Sequence, residues 1–212
     1  MSKRNKRAPR TIEVSPADFP VSFKLTSAFS KHLGNLSFDE TDLLVMTHMA
    51  HTTFGHGMQA MDEITGGAIS AAIERGEFSG EVGQHHVVAT SSGPARKVLL
   101  IGLGGMNEVH RPTICGMYRM IIDEACRIGA SKVTIPVFAG QMFPGNLRGM
   151  LAVMRCRIAE RQRSGAIGSV KEIEVLSTAQ ARTHILEGLK VEKQLCPVCH
   201  DPRLQIKSKS QG

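Results

Sequence analysis

The chain has no tryptophan and a single tyrosine, Tyr118, and aromatic residues make up 4% of its 212 positions. A surface that stacks successive bases needs several exposed rings, so a single-strand-binding platform is not expected. No apolar run approaches the roughly 20 residues that a membrane-spanning helix needs. The basic N-terminus is not followed by an apolar stretch, so it does not read as a secretory signal. The motif GxxxxGK[ST] occurs nowhere, which excludes a P-loop. Cysteine is sparse and odd in number, at 5 residues. Cys115, Cys126 and Cys156 each sit in helix-like, largely apolar surroundings. Together these features set the expectation of a reduced, cytoplasmic protein without membrane contact.

What is plentiful is positive charge, with a formal net charge of +7, and methionine, at 11 residues. The methionines read first as adaptable core filling. The charge is not spread evenly. Residues 1–10 (MSKRNKRAPR) carry five cations and no acid, and residues 190–212 sum to +3, so the body between them is close to neutral. The sequence therefore divides into a basic flexible arm over 1–17, one folded domain over 18–189 and a basic tail over 190–212. Such tails attract nucleic acid weakly and without sequence preference.

Hydrophobic periodicity supplies the elements. Phe19 to Phe29 alternates apolar and polar residues, and Leu43–Met46, HHVVAT, KVLLIGLG, SKVTIPVF and EIEVL read as further strands. Helical spacing runs from Met58 to Ile73, from Arg111 to Ile128, from Leu147 to Gln162 and from Ala179 to Leu189. Pro112 sits in a first turn, and Gly76 and Gly129 serve as stops. The second half alternates strand and helix, whereas the first half opens on strands. The expected fold is a three-layer α/β/α domain with a mixed, largely parallel sheet.

Three glycine-bearing segments follow strands: TFGHG at 53–57, GLGG at 102–105 and FAGQMFPG at 138–145. Ligands of open α/β sheets sit beyond the carboxyl ends of strands, where glycine lets backbone amides approach a phosphate. Gly55, Gly57, Gly102, Gly104, Gly140, Gln141 and Gly145 are therefore candidate ligand-binding residues, and tight turns are the alternative reading. GLGG is not a dinucleotide fingerprint, since the sixth position from Gly102 is Asn107. His48, His51 and His56 surround the first of these loops. A metal site or a general base is one reading, with His51 as the catalytic candidate. Polar residues at a cleft mouth are the other, because no acid lies among them to orient a ring. His85 and His86 are adjacent in a strand and face opposite sides. In the tail, CPVCH places Cys196, Cys199 and His200 as a partial zinc site, with free thiols as the alternative. A c-type haem reading would need an export route.

The stretch MDEITGGAISAAIERGEFSGEVGQ, followed by a strand and KVLLIGLGGMNEV, resembles the N-terminal domain of the leucine aminopeptidase family. Asp62, Gly66, Phe78, Gly80, Gly83, Gln84, Gly102, Leu103 and Gly104 carry that pattern, within a resemblance covering roughly residues 18–137. The following part, SKVTIPVFAGQMFPGNLRGMLAVMRCRIAERQR and EIEVLSTAQARTHILEGL, is similar to the ending of a macro domain, and the two families share one fold. The resemblance implies that the FAGQMFPG loop cups phosphates and that Gly66 and Gly67 begin another phosphate-facing helix. The segment THMAHTTFGHG lacks the Asn that ligand-binding macro domains commonly carry there. The metal-binding Lys, Asp and Glu motifs of the peptidase do not appear, so peptidase activity is not expected.

Three functional readings follow. The first is a stand-alone binding module for a nucleotide such as ADP-ribose or for a partner protein. The second is an assembly scaffold or homo-oligomer acting through the basic tails. The third is a hydrolase of ADP-ribose conjugates that uses His51.

Overall fold

The structure, a computed structural model, describes residues 11–14, 21–29, 38–137, 147–178 and 181–190. Its strands are β1 (Thr11–Val14), β2 (Ser22–Phe29), β3 (Thr41–His48), β4 (His85–Ala89), β5 (Ala95–Gly102), β6 (Lys132–Pro136) and β7 (Glu172–Thr178). Its helices are α1 (His56–Ile64), α2 (Ala68–Glu74), α3 (Arg111–Arg127), α4 (Leu147–Arg163) and α5 (Arg182–Lys190). The seven strands form one sheet in the order β1-β2-β7-β6-β3-β5-β4. The five central strands pair in parallel, and the outermost strand at each side runs antiparallel to its neighbour.

Parallel strands covered on both faces read as continuous apolar runs. Leu43–Met46 and Val98–Ile101 are such runs, and every one of their side chains is buried. One sheet face packs against α3, α4 and α5 through Phe23, Leu25, Val45, Ile101, Ile121, Val153 and Ile185, among others. On the other face α1 and α2 cover β3 and β5 through Met58, Met61, Ile69 and Ala72 against Leu44, Met46, Val98 and Leu100. The result is the expected three-layer arrangement, with unequal outer layers.

Two elements depart from the sequence expectation. Residues 11–14, assigned to the arm, form β1 and pair with β2 from Thr11↔Thr26 to Val14↔Phe23. The helix expected over 58–73 is two helices. Gly66 and Gly67 lie between them with φ of 70° and 77°, backbone values that end one helix and re-aim the chain for the next. Asp62, near the end of α1, then caps α2. Its Oδ1 accepts the amides of Ile69 (2.9 Å) and Ser70 (3.0 Å), and its Oδ2 accepts the Ser70 hydroxyl. α3 begins with proline in its first turn and stops where Gly129, at φ 71°, lets the Ala130 amide reach back to the Ala125 carbonyl.

Sheet faces also hold polar groups. Glu174 of β7 is fully buried. It accepts the Thr26 hydroxyl at 2.6 Å and pairs with Lys132 of β6 at 2.8 Å. Lys24 of β2, on the same face, pairs with Asp39. Among the described residues no helix is long and apolar enough to cross a membrane.

Candidate functional site

Because β3 and β5 are parallel neighbours, His48 and Gly102 end side by side, and the chain leaves both strands on one edge of the sheet. A pocket of about 390 Å³ opens at this edge. Its walls are Met46, Thr47, His48 and Met49 from the end of β3, Thr52, Thr53 and Gly55 from the loop after it, Gly57 and Met58 from α1, and Leu103, Met106 and Val109 from the segment after β5. Among the described residues the lining has no lysine, arginine, aspartate or glutamate. Four thioethers and two aliphatic side chains provide the contact surface, and three threonines and His48 add the polar groups.

α1 starts at the pocket. Its N-cap is Gly55, which offers no side-chain cap, and the amides of Met58 and Gln59 turn back to the Gly55 carbonyl. By helix geometry the amides of His56 and Gly57 have no intrahelical acceptor. Among the described residues a Cβ at Gly55 would meet nothing within 4 Å. Gly55 and Gly57, two of the candidate residues, line this pocket.

Gly102 and Gly104 reach the same edge but do something else. All four amides of GLGG are engaged internally. Gly102 donates to the Gln84 carbonyl (2.8 Å), Leu103 to the His48 carbonyl (2.9 Å), Gly104 to the Gly80 carbonyl (2.8 Å) and Gly105 to Glu108 Oε2 (2.7 Å). A Cβ at Gly102 would stand 2.0 Å from the Glu81 carbonyl oxygen. Glycine is required here because one backbone lies directly on another. The opposing strand of this contact is the FSGEVGQ turn. There Gln84 Oε1 accepts the amides of Ser79 (2.8 Å) and Gly80 (3.1 Å), and Phe78 is buried in the α1–α2 core. Phe78, Gly80, Gln84, Gly102, Leu103 and Gly104 therefore form a structural clasp at the pocket edge, and the amides of residues 102–105 are engaged within it.

Gly66 and Gly67 lie elsewhere. The nearest atoms to a Cβ at Gly66 belong to Ser92 and Ser91, in the turn that precedes β5, at the opposite end of that strand from the pocket. Their left-handed backbone serves the α1–α2 turn, and the phosphate-facing helix implied by the resemblance is not at the pocket. Gly140, Gln141, Gly145, Cys196, Cys199 and His200 lie outside the described residues.

The histidines do not converge. His48 is 9% exposed, with its ring edge-on to Phe54 (centroids 5.4 Å apart) and tilted against Phe78. Burial holds its pKa below the usual histidine range, so it is a neutral wall residue near pH 7. His51 is exposed, adopts a left-handed φ of 58° and faces Glu81 Oε1 at 3.5 Å. His51 does not line the pocket, and His56 is exposed at the start of α1. The acid beside His51 comes from the FSGEVGQ turn, thirty residues away in sequence, so no local reading of 48–56 could have found it. Among the described residues no three His, Cys, Asp or Glu side chains group as metal ligands. His85 and His86 do face opposite sides of β4, toward Glu124 (3.2 Å) and Glu77 (3.3 Å). The sequence reading missed the methionine lining. Its signal was present in TDLLVMTHM and in Met58 and Met106, but it was read as core.

Residues 46–138 match the family model described as the N-terminal domain of the cytosol aminopeptidase family. The Pseudomonas aeruginosa cytosol aminopeptidase is 37% identical over 71 residues, which is 33% of this chain and 14% of that protein. The chain therefore spans a small fraction of the length of the curated relatives it matches. Among solved structures, the Oceanobacillus iheyensis macrodomain with ADP aligns with a TM-score of 0.62 and 11% identity over 86% of this chain and 96% of that one. A tomato leucine aminopeptidase mutant aligns with a TM-score of 0.53 and 16% identity over 82% of this chain and 36% of that one. The fold over most of the chain is therefore that of a macrodomain, and residues 46–138 resemble the N-terminal domain of the cytosol aminopeptidases.

Proposed function

We propose that the chain is a macro-type binding module. It holds a nucleotide such as ADP-ribose, or an apolar segment of a partner protein, in the pocket at the carboxyl ends of β3 and β5. The observation that carries this reading is the combination of a neutral, methionine-lined pocket with an uncapped helix start at its mouth. An uncharged, largely apolar cavity suits a flat neutral ring, because polarizable thioethers pack against such rings and no buried charge is left uncompensated. The open start of α1 suits an anionic group at the rim. Gly140, Gln141 and Gly145 belong to the same proposal as the residues that would meet the phosphates. The proposal is binding without chemistry, since among the described residues no base–carboxylate pair faces the pocket. His51, the residue a conjugate hydrolase would use, is outside the lining.

Isothermal titration with ADP-ribose, adenosine and ribose 5-phosphate tests this. Saturable one-to-one binding of ADP-ribose in the micromolar range, about −8 kcal/mol, is expected. Adenosine should retain part of that affinity and ribose 5-phosphate less. The Thr53→Trp chain, which fills the pocket from an exposed lining position, should bind none of them. Absence of heat with all three ligands would remove the nucleotide from the proposal and leave the protein segment.

A further inference from the structure

β4 is one of the two outermost strands of the sheet, and among the described residues no strand pairs with its outer edge. Its register with β5 runs from His85↔Ile101 to Ala89↔Lys97. Beyond each end of that ladder, Gly102 donates to the Gln84 carbonyl and Thr90 to the Arg96 carbonyl. Residues facing each other in an antiparallel pair alternate between exchanging hydrogen bonds and not exchanging them. The even-numbered positions of β4 therefore bond inward to β5. The amides and carbonyls of His85, Val87 and Ala89 point outward, and among the described residues nothing meets them.

Natural sheets protect such an edge with a lysine, a proline, a bulge or an inward charge. At the opposite edge β1 reads TIEV, with an acid inside the strand and Pro9 and Pro16 on either side. β4 reads HHVVA and has none of these, in a chain that carries 26 lysines and arginines. Its two valines remain partly uncovered, Val87 on the α3 face and Val88 on the α2 face, because the sheet ends beside them. A further strand would cover both.

We propose that this edge pairs with the same edge of a second copy, antiparallel about Val87, so that two sheets join into one. The strand is self-complementary in that register. Val87 exchanges both hydrogen bonds with Val87 of the second copy, and His85 does so with Ala89. His86 stands opposite Val88, so no like charges face each other across the join. The proposal is independent of the pocket and its ligand.

The test uses the full chain, by analytical ultracentrifugation and by amide hydrogen exchange at several protein concentrations. A dimer is expected, with the Val87 and Ala89 amides growing more protected as concentration rises. Ala89→Pro removes an outward amide while leaving the inward ladder intact, since proline is tolerated where the strand N–H faces away from the sheet. Ala89→Lys adds the missing edge charge at an exposed position. Both variants should be monomeric, with the melting temperature of the dilute wild-type chain. A wild-type chain that stays monomeric at every concentration would overturn the proposal. So would a dimer that survives both substitutions or leaves the Val87 and Ala89 amides unprotected. If Ala89→Pro fails to fold, Ala89→Lys and the exchange data still decide.

Discussion

At the residue scale, the glycines of this chain differ in what a side chain would meet. Gly102 is enclosed by the Glu81 carbonyl oxygen at 2.0 Å and the Gly80 carbonyl carbon at 2.6 Å from a built Cβ. Both are backbone atoms of another segment and cannot swing away. Gly55 has open space, a β-region backbone and an uncapped helix behind it. Gly102→Ala should therefore push the FSGEVGQ turn off the end of β5 and destabilise the fold by about 1–3 kcal/mol, the usual range for overpacking. Gly55→Ser supplies a cap hydroxyl and should raise stability by a few tenths of a kcal/mol at most. Urea unfolding of both variants checks the pair. Equal, small effects would show that the clasp yields where the backbone contact says it cannot. The same distinction explains why glycine at the end of a strand was ambiguous in the sequence. GLGG and TFGHG look alike as letters, but one has all its amides engaged by Gln84, His48, Gly80 and Glu108, and those partners are set by tertiary packing.

At the scale of elements, the strands and long helices were legible because burial repeats along them. Leu43–Met46 and Val98–Ile101 are uninterrupted apolar runs, and α3 begins with Pro112 and stops before Gly129. Short elements were less legible. TIEV at 11–14 is four residues beside five cations, and only its pairing with β2 makes it a strand. The α1–α2 break lies within a pattern of apolar spacing that continues across it. The Asp62 carboxylate that caps α2 is itself inside a helix, so its role depends on the turn between them. The polar half of the second sheet face was not legible either. The alternation in KEIEVL and SKVTIP reads as solvent-facing, yet Glu174 is fully buried against Lys132 and Thr26. An ion pair so placed adds little stability over an apolar pair, but removal of one partner leaves a buried charge. Lys132→Met should cost about 3–5 kcal/mol by that argument. Lys132→Met combined with Glu174→Leu should recover most of the loss. Chemical denaturation of the single and double variants reads this directly, and a double variant no better than the single one would show that packing, not charge, holds β6 to β7.

At the scale of the whole molecule, the concentrated positive charge and the cleft belong to different parts of the sequence. Among the described residues the pocket lining carries no lysine, arginine or acid, whereas residues 1–10 carry five cations and no acid. A ligand that fits the pocket is recognised by shape and by its neutral surface. A polyanion, by the charge of residues 1–10, is expected to meet the ends of the chain whatever its sequence. The two modes differ in salt dependence, because binding that displaces counterions from a polyphosphate weakens with a log–log slope proportional to the number of contacts made. Replacing Lys3, Arg4, Lys6, Arg7 and Arg10 together by glutamine should therefore flatten the salt dependence of duplex DNA binding by about 4.5 units of slope if all five cations meet phosphates. The same replacement should leave the ADP-ribose isotherm unchanged at fixed salt, since none of those residues belongs to β3, β5 or α1, which build the cleft edge. Fluorescence titration of labelled duplex at several salt concentrations measures the first quantity and calorimetry the second. If the slope does not change, duplex binding is carried by the folded body. If the ADP-ribose affinity falls together with the duplex affinity, the arm reaches the cleft, and what the sequence separates into tail and domain acts as one site.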